Sequence, residues 1–292
     1  MSKELPARAD VPREATWDLE CLFPDSDAWE KAFAAVEAQI PGVAAFAGKL
    51  GEGPETLAAY FTESEALQRS LGHVSVWANL HYTADTTDPE AQGRADRAIG
   101  LAGRVSAAMA FAPPELLLIG IETLLGWAES HEALKIYRHY FHQLEKKSAH
   151  VCAAMVEQTL ALASDALRSA SRIHGILTDA DLTFTPASDG SAVGQSTIGK
   201  LLVDPSREVR RSAWESYADA HLAHRSALAQ CLATGVKQNV FIARVRGYES
   251  ALHAALEPNF LPTSVFESLI AAFIQHLPIW HRYWSLRRRA LG

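Results

Sequence analysis

Residues 199–248 read GKLLVDPSREVRRSAWESYADAHLAHRSALAQCLATGVKQNVFIARVRGY, and their pattern decides the fold class. Asp204 is placed as an N-cap, its carboxylate accepting free backbone N–H groups, and Pro205 suits a first turn, where its missing N–H costs nothing. Val209, Ala213, Tyr217 and Ala220 then recur at helical spacing, and Leu228, Leu232, Val236, Val240 and Ala243 continue the stripe. No proline interrupts it before Gly247. The spacing predicts one helix of about 40 residues, about 60 Å long. A helix of that length is a spine with packing partners on more than one side, not a site by itself.

The whole chain agrees with a helical, globular protein. Of 292 residues, 48% are hydrophobic and 21% charged, and the length suggests about two domains. A core of that size needs no disulfides. Cys21, Cys152 and Cys231 are far apart, odd in number and outside any C-x-x-C, which points to a reducing, cytoplasmic setting. The polar N-terminus lacks an apolar signal-peptide core, and no run of about 18 apolar residues predicts a membrane span. A net charge of −7 argues against nucleic acid as a partner. The basic run Arg287-Arg288-Arg289 falls in the last turn of an expected helix, where cations complement the dipole.

Along the chain, residues 1–24 read as an extended lead-in with prolines at 6, 12 and 24, pinned by Trp17, Leu19, Leu22 and Phe23. Ser26 is the expected cap of a helix to about Gln39, ended near Pro41-Gly42. Pro54 starts a longer one to about Thr83. Asp88-Pro89 starts another to about Ala110, which Pro113-Pro114 breaks. Gly100 and Gly103 within it suggest close packing or a kink. Further helices are expected over 131–149, 152–178, from Thr263 or Ser264, and over 279–290 after Pro278. One stretch changes period. LTFTP alternates, Asp189-Gly190 is a hairpin turn signal and SAVGQS can be the return strand. The expected fold is therefore mainly α, a multi-helix array with one β-hairpin near 182–195.

Twelve histidines invite a search for metal ligands. A helical zinc site of the H-E-x-x-H type sets two histidines four apart on one face, with the glutamate activating a metal-bound water. His131-Glu132 is the His-Glu pair of this chain, but Lys135 stands where the second ligand belongs, and an ammonium does not bind zinc. His139 with His142, and His221 with His224, have H-x-x-H spacing, with Glu145 and Asp219 nearby. Their ordinary reading is a helix face, since neither finds a clear third ligand. Arg207, Arg210, Arg211, Arg244 and Arg246 could hold an anion. Surface pairing with residues such as Glu208 and Glu215 is the simpler account. No G-x-S-x-G, Walker loop or G-x-G-x-x-G is present.

A series of segments carries a resemblance to the oligoendopeptidase F group of M3 zinc metallopeptidases. In order they are WDLECLFPDSDAW, LHYTADTTDPEAQ, LKIYRHYFHQLEKKSAHV, LTFTPASDGS with IGKLLVDPSREVRRSAWESY, VKQNVFIARVRGYESALHAAL, FLPTSVFESLI and HRYWSLRRRALG. No single piece is a catalytic motif; the ordered series over nearly the whole chain makes the match specific. The resemblance implies a neurolysin-like helical fold around a deep channel, cytosolic cleavage of short peptides, and zinc held by the histidines of HExxH plus a downstream glutamate. In the family those residues lie C-terminal of everything matched here, and this sequence stops at Leu291-Gly292 before them. No catalytic, cofactor-binding or metal-ligating residue is therefore assigned, and no zinc is expected in this chain, only in the complete family enzyme.

The division that follows is an N-terminal helical region (1–112), an M3-type N-terminal helical domain (113–181), and a hairpin with the first helices of a truncated peptidase domain (182–292). The expected function is the N-terminal part of an oligopeptide-cleaving zinc peptidase, inactive as it stands. The alternative is a non-catalytic helical scaffold that binds a peptide or protein. Uncovered apolar helix faces would favour self-association.

Overall fold

The computed structural model describes residues 8–291, so Pro6 of the lead-in and Gly292 lie outside the described residues. They form two compact units. The first comprises residues up to Glu145 with Cys152–Lys237, and the second Lys146–Val151 with the residues from Gln238 onward.

The first unit is built on three helices, α1 (Ser26–Ala44), α2 (Pro54–Ala84) and α3 (Pro89–Met109). Asp25 caps α1, accepting from the Ala28 N–H, one residue earlier than Ser26. Pro41 lies inside the helix rather than ending it. Pro54 opens α2 as expected, and the Asp88 carboxylate accepts from Glu90 and Ala91 N–H groups to open α3. Their pairings give direction. Trp29 meets Val74 while Phe46 meets Tyr60, so α1 and α2 are antiparallel. Arg97 meets Glu30 and Arg104 meets Glu37, so α1 and α3 are parallel.

Trp29 is the hub of this core. It is fully buried, its indole N–H donates to the Val74 carbonyl at 2.9 Å, and its ring stacks on Trp77 at 6.0 Å. The Trp77 N–H reaches the Phe23 carbonyl at 3.1 Å, which pins the lead-in. Trp17 does not pin it, being 87% exposed. Gly103 packs beside α7 (Ala154–Leu162): a Cβ there would lie 3.6 Å from Ser164 Oγ and 3.7 Å from the Ala161 carbonyl, ordinary van der Waals contact. Gly100 has nothing within 4 Å of such a Cβ.

Pro113 and Pro114 begin α4 (Ala112–Ile119), followed by α5 (Ile121–Ser130). Glu115 on α4 accepts from Gly48 N–H at 2.9 Å and Leu50 N–H at 2.6 Å, tying down the loop between α1 and α2. The helix expected over 131–149 begins instead as a 3₁₀ stretch, Glu132–Tyr137, before α6 (Arg138–Lys147). Tyr137 stacks on Phe61 at 3.9 Å and donates to Glu65 at 2.5 Å. The 152–178 region holds α7 and α8 (Ser169–Ile176).

The expected β-hairpin near 182–195 is not there. Among the described residues none forms a β-strand. The alternation is real, since Leu182 is buried and Phe184 half-buried, but it describes an extended segment laid on a helix. A short helix, α9 (Ile198–Leu201), precedes α10 (Arg207–Ala223), which offers two serines one turn apart. Ser216 Oγ donates to the Thr185 carbonyl at 2.7 Å, and Ser212 Oγ accepts from Ser188 N–H at 2.9 Å. These side chains take the ladder positions of a second strand. Asp189 and Gly190 (φ +80°) do make a tight turn, with Ala187 N–H bonded to the Ser191 carbonyl at 2.9 Å. The chain then turns into α9, so no return strand forms. Ala187, Val193, Leu201, Val209 and Ala213 close a small core there, joined by Phe184, Ile198 and Tyr217.

The expected 40-residue spine is two helices, α10 and α11 (Arg225–Val245), broken at His224. The cap of α10 is Ser206, which accepts from Val209 N–H, while Asp204 accepts from Ser206 N–H in the turn before it. The first half of the stripe packs, with Val209 and Ala213 buried. The second half opens to solvent, with Leu232 72% and Val236 54% exposed.

The second unit contains residues 146–151, the end of α11, α12 (Ala251–Leu256) and α13 (Thr263–Leu291). The two helices expected on either side of Pro278 are one, with Pro278 inside it.

Candidate functional site

The histidine and arginine candidates do not converge. His131 ends α5 in an extended conformation, and Glu132 turns to Lys135 at 2.5 Å. His139 Nε2 lies 2.9 Å from Gln143 Nε2, and His142 Nδ1 is 3.9 Å from Glu145 Oε2. The His221 Nδ1–H donates to the Tyr217 carbonyl at 2.8 Å and its ring packs 4.4 Å from that of Tyr217, whereas His224 occupies the break after α10. Arg211 pairs with Glu215 at 2.8 Å, the surface pairing expected of it, and Arg210 donates to the Asp204 and Pro205 carbonyls at 2.7 and 3.0 Å. Arg207 opens α10 and Arg244 lies in the last turn of α11. The Arg287 guanidinium lies 5.3 Å over the Trp284 ring.

A cluster the sequence did not suggest lies in the second unit. The His150 ring stacks on Tyr248 at 3.6 Å, and His253 meets both rings edge-on at 6.0 and 5.5 Å. Because a carbonyl can only accept, the 2.9 Å bond between His150 Nδ1 and the Arg246 carbonyl puts the proton on Nδ1. Arg246 Nη1 in turn donates to the His150 carbonyl at 3.2 Å. Ser250 caps α12 by accepting from His253 N–H at 3.0 Å, which aims the His253 ring at the stack and sets its Nε2 3.5 Å from Glu257. Burial, and then the Glu257 charge, raise the Tyr248 phenol above its ordinary value, with Arg246 opposing them. Lys146 and Lys147 extend the same side over the Phe260 ring, at 4.7 and 5.5 Å. The cluster clasps 146–151 to the α11–α12 turn. His150 and Arg246 are 96 residues apart, so no local signal could have joined them.

Zinc, which the family resemblance implies, does not fit the residues present. Among the described residues no three His, Cys, Asp or Glu side chains come together as a metal cradle. His150 and His221 each commit a ring nitrogen to a backbone carbonyl, which leaves that nitrogen unable to bind a metal. Among the described residues no single helix is long and apolar enough to cross a membrane.

Comparison with known proteins supplies what the geometry does not. Residues 115–184 match the family described as Oligopeptidase F, and residues 200–292 match Peptidase family M3. Oligopeptidase PepF of Bacillus subtilis (strain 168) is 33% identical over 99% of this chain and 44% of its own length. The plasmid oligoendopeptidase F of Lactococcus lactis subsp. cremoris is 28% identical over 98% of this chain and 48% of its own. The crystal structure of oligoendopeptidase-F from Enterococcus faecium aligns with a TM-score of 0.86 at 28% identity, covering 91% of this chain and 54% of that one. The chain spans about half the length of the curated relatives it matches.

Proposed function

Because the chain belongs to the oligoendopeptidase F group of the M3 peptidase family, we infer that its 292 residues are the N-terminal part of an enzyme that hydrolyses short peptides. M3 family peptidases are zinc metallopeptidases. On this reading the helices described above are scaffold and one wall of a peptide channel. The zinc and the base that activates water belong to polypeptide outside these residues. The similarity to peptidases along nearly the whole chain carries the inference. It is also the reason to keep the division at 1–112, 113–181 and 182–292 and the cytoplasmic setting.

The chemistry requires that division of labour. A peptide bond yields to water only when a metal or a base activates the water and the developing oxyanion is stabilised. His150 and His221 are engaged in backbone and ring contacts, and on this reading the 292-residue chain alone cleaves no peptide. A non-catalytic binding scaffold is the second reading, favoured by the apolar side chains that α13 leaves exposed.

The test is a fusion. Residues 1–292 are joined to the part of the B. subtilis relative beyond the aligned stretch, and a quenched oligopeptide is offered. Chelator-sensitive cleavage is the expected result. A folded, zinc-loaded fusion that cleaves no peptide would contradict the assignment.

A further inference from the structure

Phe266, Leu269, Phe273, Leu277, Trp280 and Trp284 follow one another on α13 at steps of three and four, which puts them on one face of the helix. In a soluble protein such a row is normally the buried side. Here Leu269 is 65%, Phe273 53% and Trp284 52% exposed. A buried aromatic side chain removes about 150–250 Å² from water, so four aromatics half exposed, with their leucines, leave roughly 500 Å² of apolar surface. That is near the top of what a monomer shows, and comparable with one side of a modest protein interface.

The occupant can be argued from length and charge. The E. faecium protein keeps the fold of these residues, yet this chain covers only 54% of it, so a large further body of polypeptide accompanies the same fold there. The region matched to Peptidase family M3 includes the whole of α13. A second copy of this chain fits poorly. Arg282, Arg287, Arg288 and Arg289 crowd one end of the helix, and Glu267 is its one acidic residue. Parallel pairing opposes the arginines to themselves, and antiparallel pairing sets them against the positive end of the partner helix.

We propose that the Phe266–Trp284 face of α13 is the seam on which the remainder of the peptidase fold docks, and that this remainder binds there even as a separate polypeptide. The proposal rests on the family reading above. The partner it fits presents an apolar helix face flanked by carboxylates that meet Arg287–Arg289.

The experiment mixes the full 292-residue chain with a separate polypeptide, the part of B. subtilis oligopeptidase PepF beyond the aligned stretch. Sedimentation and hydrogen exchange are the readouts. The expected result is a one-to-one complex in which α13 amides become protected. The Phe273→Glu, Trp280→Glu variant should weaken the complex at least tenfold, and its circular dichroism and melting should stay unchanged because both positions are exposed. Absence of a complex, or equal binding by the variant, overturns the proposal. So does α13 protection that arises equally from self-association of the chain alone. A complex that forms at α13 but cleaves no peptide leaves the seam standing and counts instead against the assigned activity.

Discussion

Replacing Trp29 by phenylalanine tests the three-helix core most sharply. The indole is fully buried and donates to the Val74 carbonyl in the interior of α2. Losing that bond costs about 1 kcal/mol. The smaller ring leaves a void of roughly 40 Å³, worth about another 1 kcal/mol at ~24 cal/mol per Å³. Weaker stacking on Trp77, and weaker contact with the Arg97 guanidinium 5.1 Å from the ring, add about 0.5 kcal/mol. The sum is about 2.5 kcal/mol, or a melting point lower by about 5–10 °C for a unit of this size. Urea unfolding followed by circular dichroism gives the number directly. A loss below about 1 kcal/mol would refute the reasoning, because it would mean that neither the hydrogen bond nor the packing around Trp29 is as described.

Three further outcomes follow from the same structure. Gly100→Ala should stabilise the protein by about 0.5–1 kcal/mol, since nothing lies within 4 Å of the added Cβ and alanine favours the helix; a destabilised variant in thermal melts contradicts the open space. Ser212→Ala with Ser216→Ala should speed hydrogen exchange at the Ser188 amide, at a cost of about 1 kcal/mol or less; unchanged protection there would mean that something other than α10 holds the 182–193 segment. Glu30 governs a small acid-dependent stability. Its hydrogen bond from Arg97, opposed by partial burial and helped by the arginine charge, holds its carboxyl below the ordinary 4.5. The folded pKa is depressed, so the stabilisation is present above the ordinary value and is lost as pH falls through the folded one. Both side chains are nearly half exposed, which limits the effect to about 0.5 kcal/mol. Glu30→Gln should lower the urea midpoint slightly at neutral pH and match the wild type once Glu30 is protonated. A gap that persists in acid contradicts the account.

Local chemistry was legible in the sequence and distant chemistry was not. Pro54 and Asp88-Pro89 open their helices as read, because a cap and a proline act within one turn. The alternation in LTFTP announced an extended segment, but alternation does not say what satisfies its backbone. Ser212 and Ser216, a turn apart on α10, do so in place of a strand. The break at His224 carries no glycine or proline, and the apolar stripe runs on across it, so two helices read as one spine. The second half of that stripe stands open at Leu232 and Val236. The His150–Tyr248–His253 cluster required tertiary contact across almost a hundred residues.

The central claim is that these residues supply scaffold and not zinc chemistry. One measurement tests it most directly: the purified 292-residue chain, supplied with zinc and a quenched oligopeptide, assayed with and without a chelator. The account predicts no cleavage above the uncatalysed rate in either case. Steady turnover that the chelator abolishes and fresh zinc restores would contradict it.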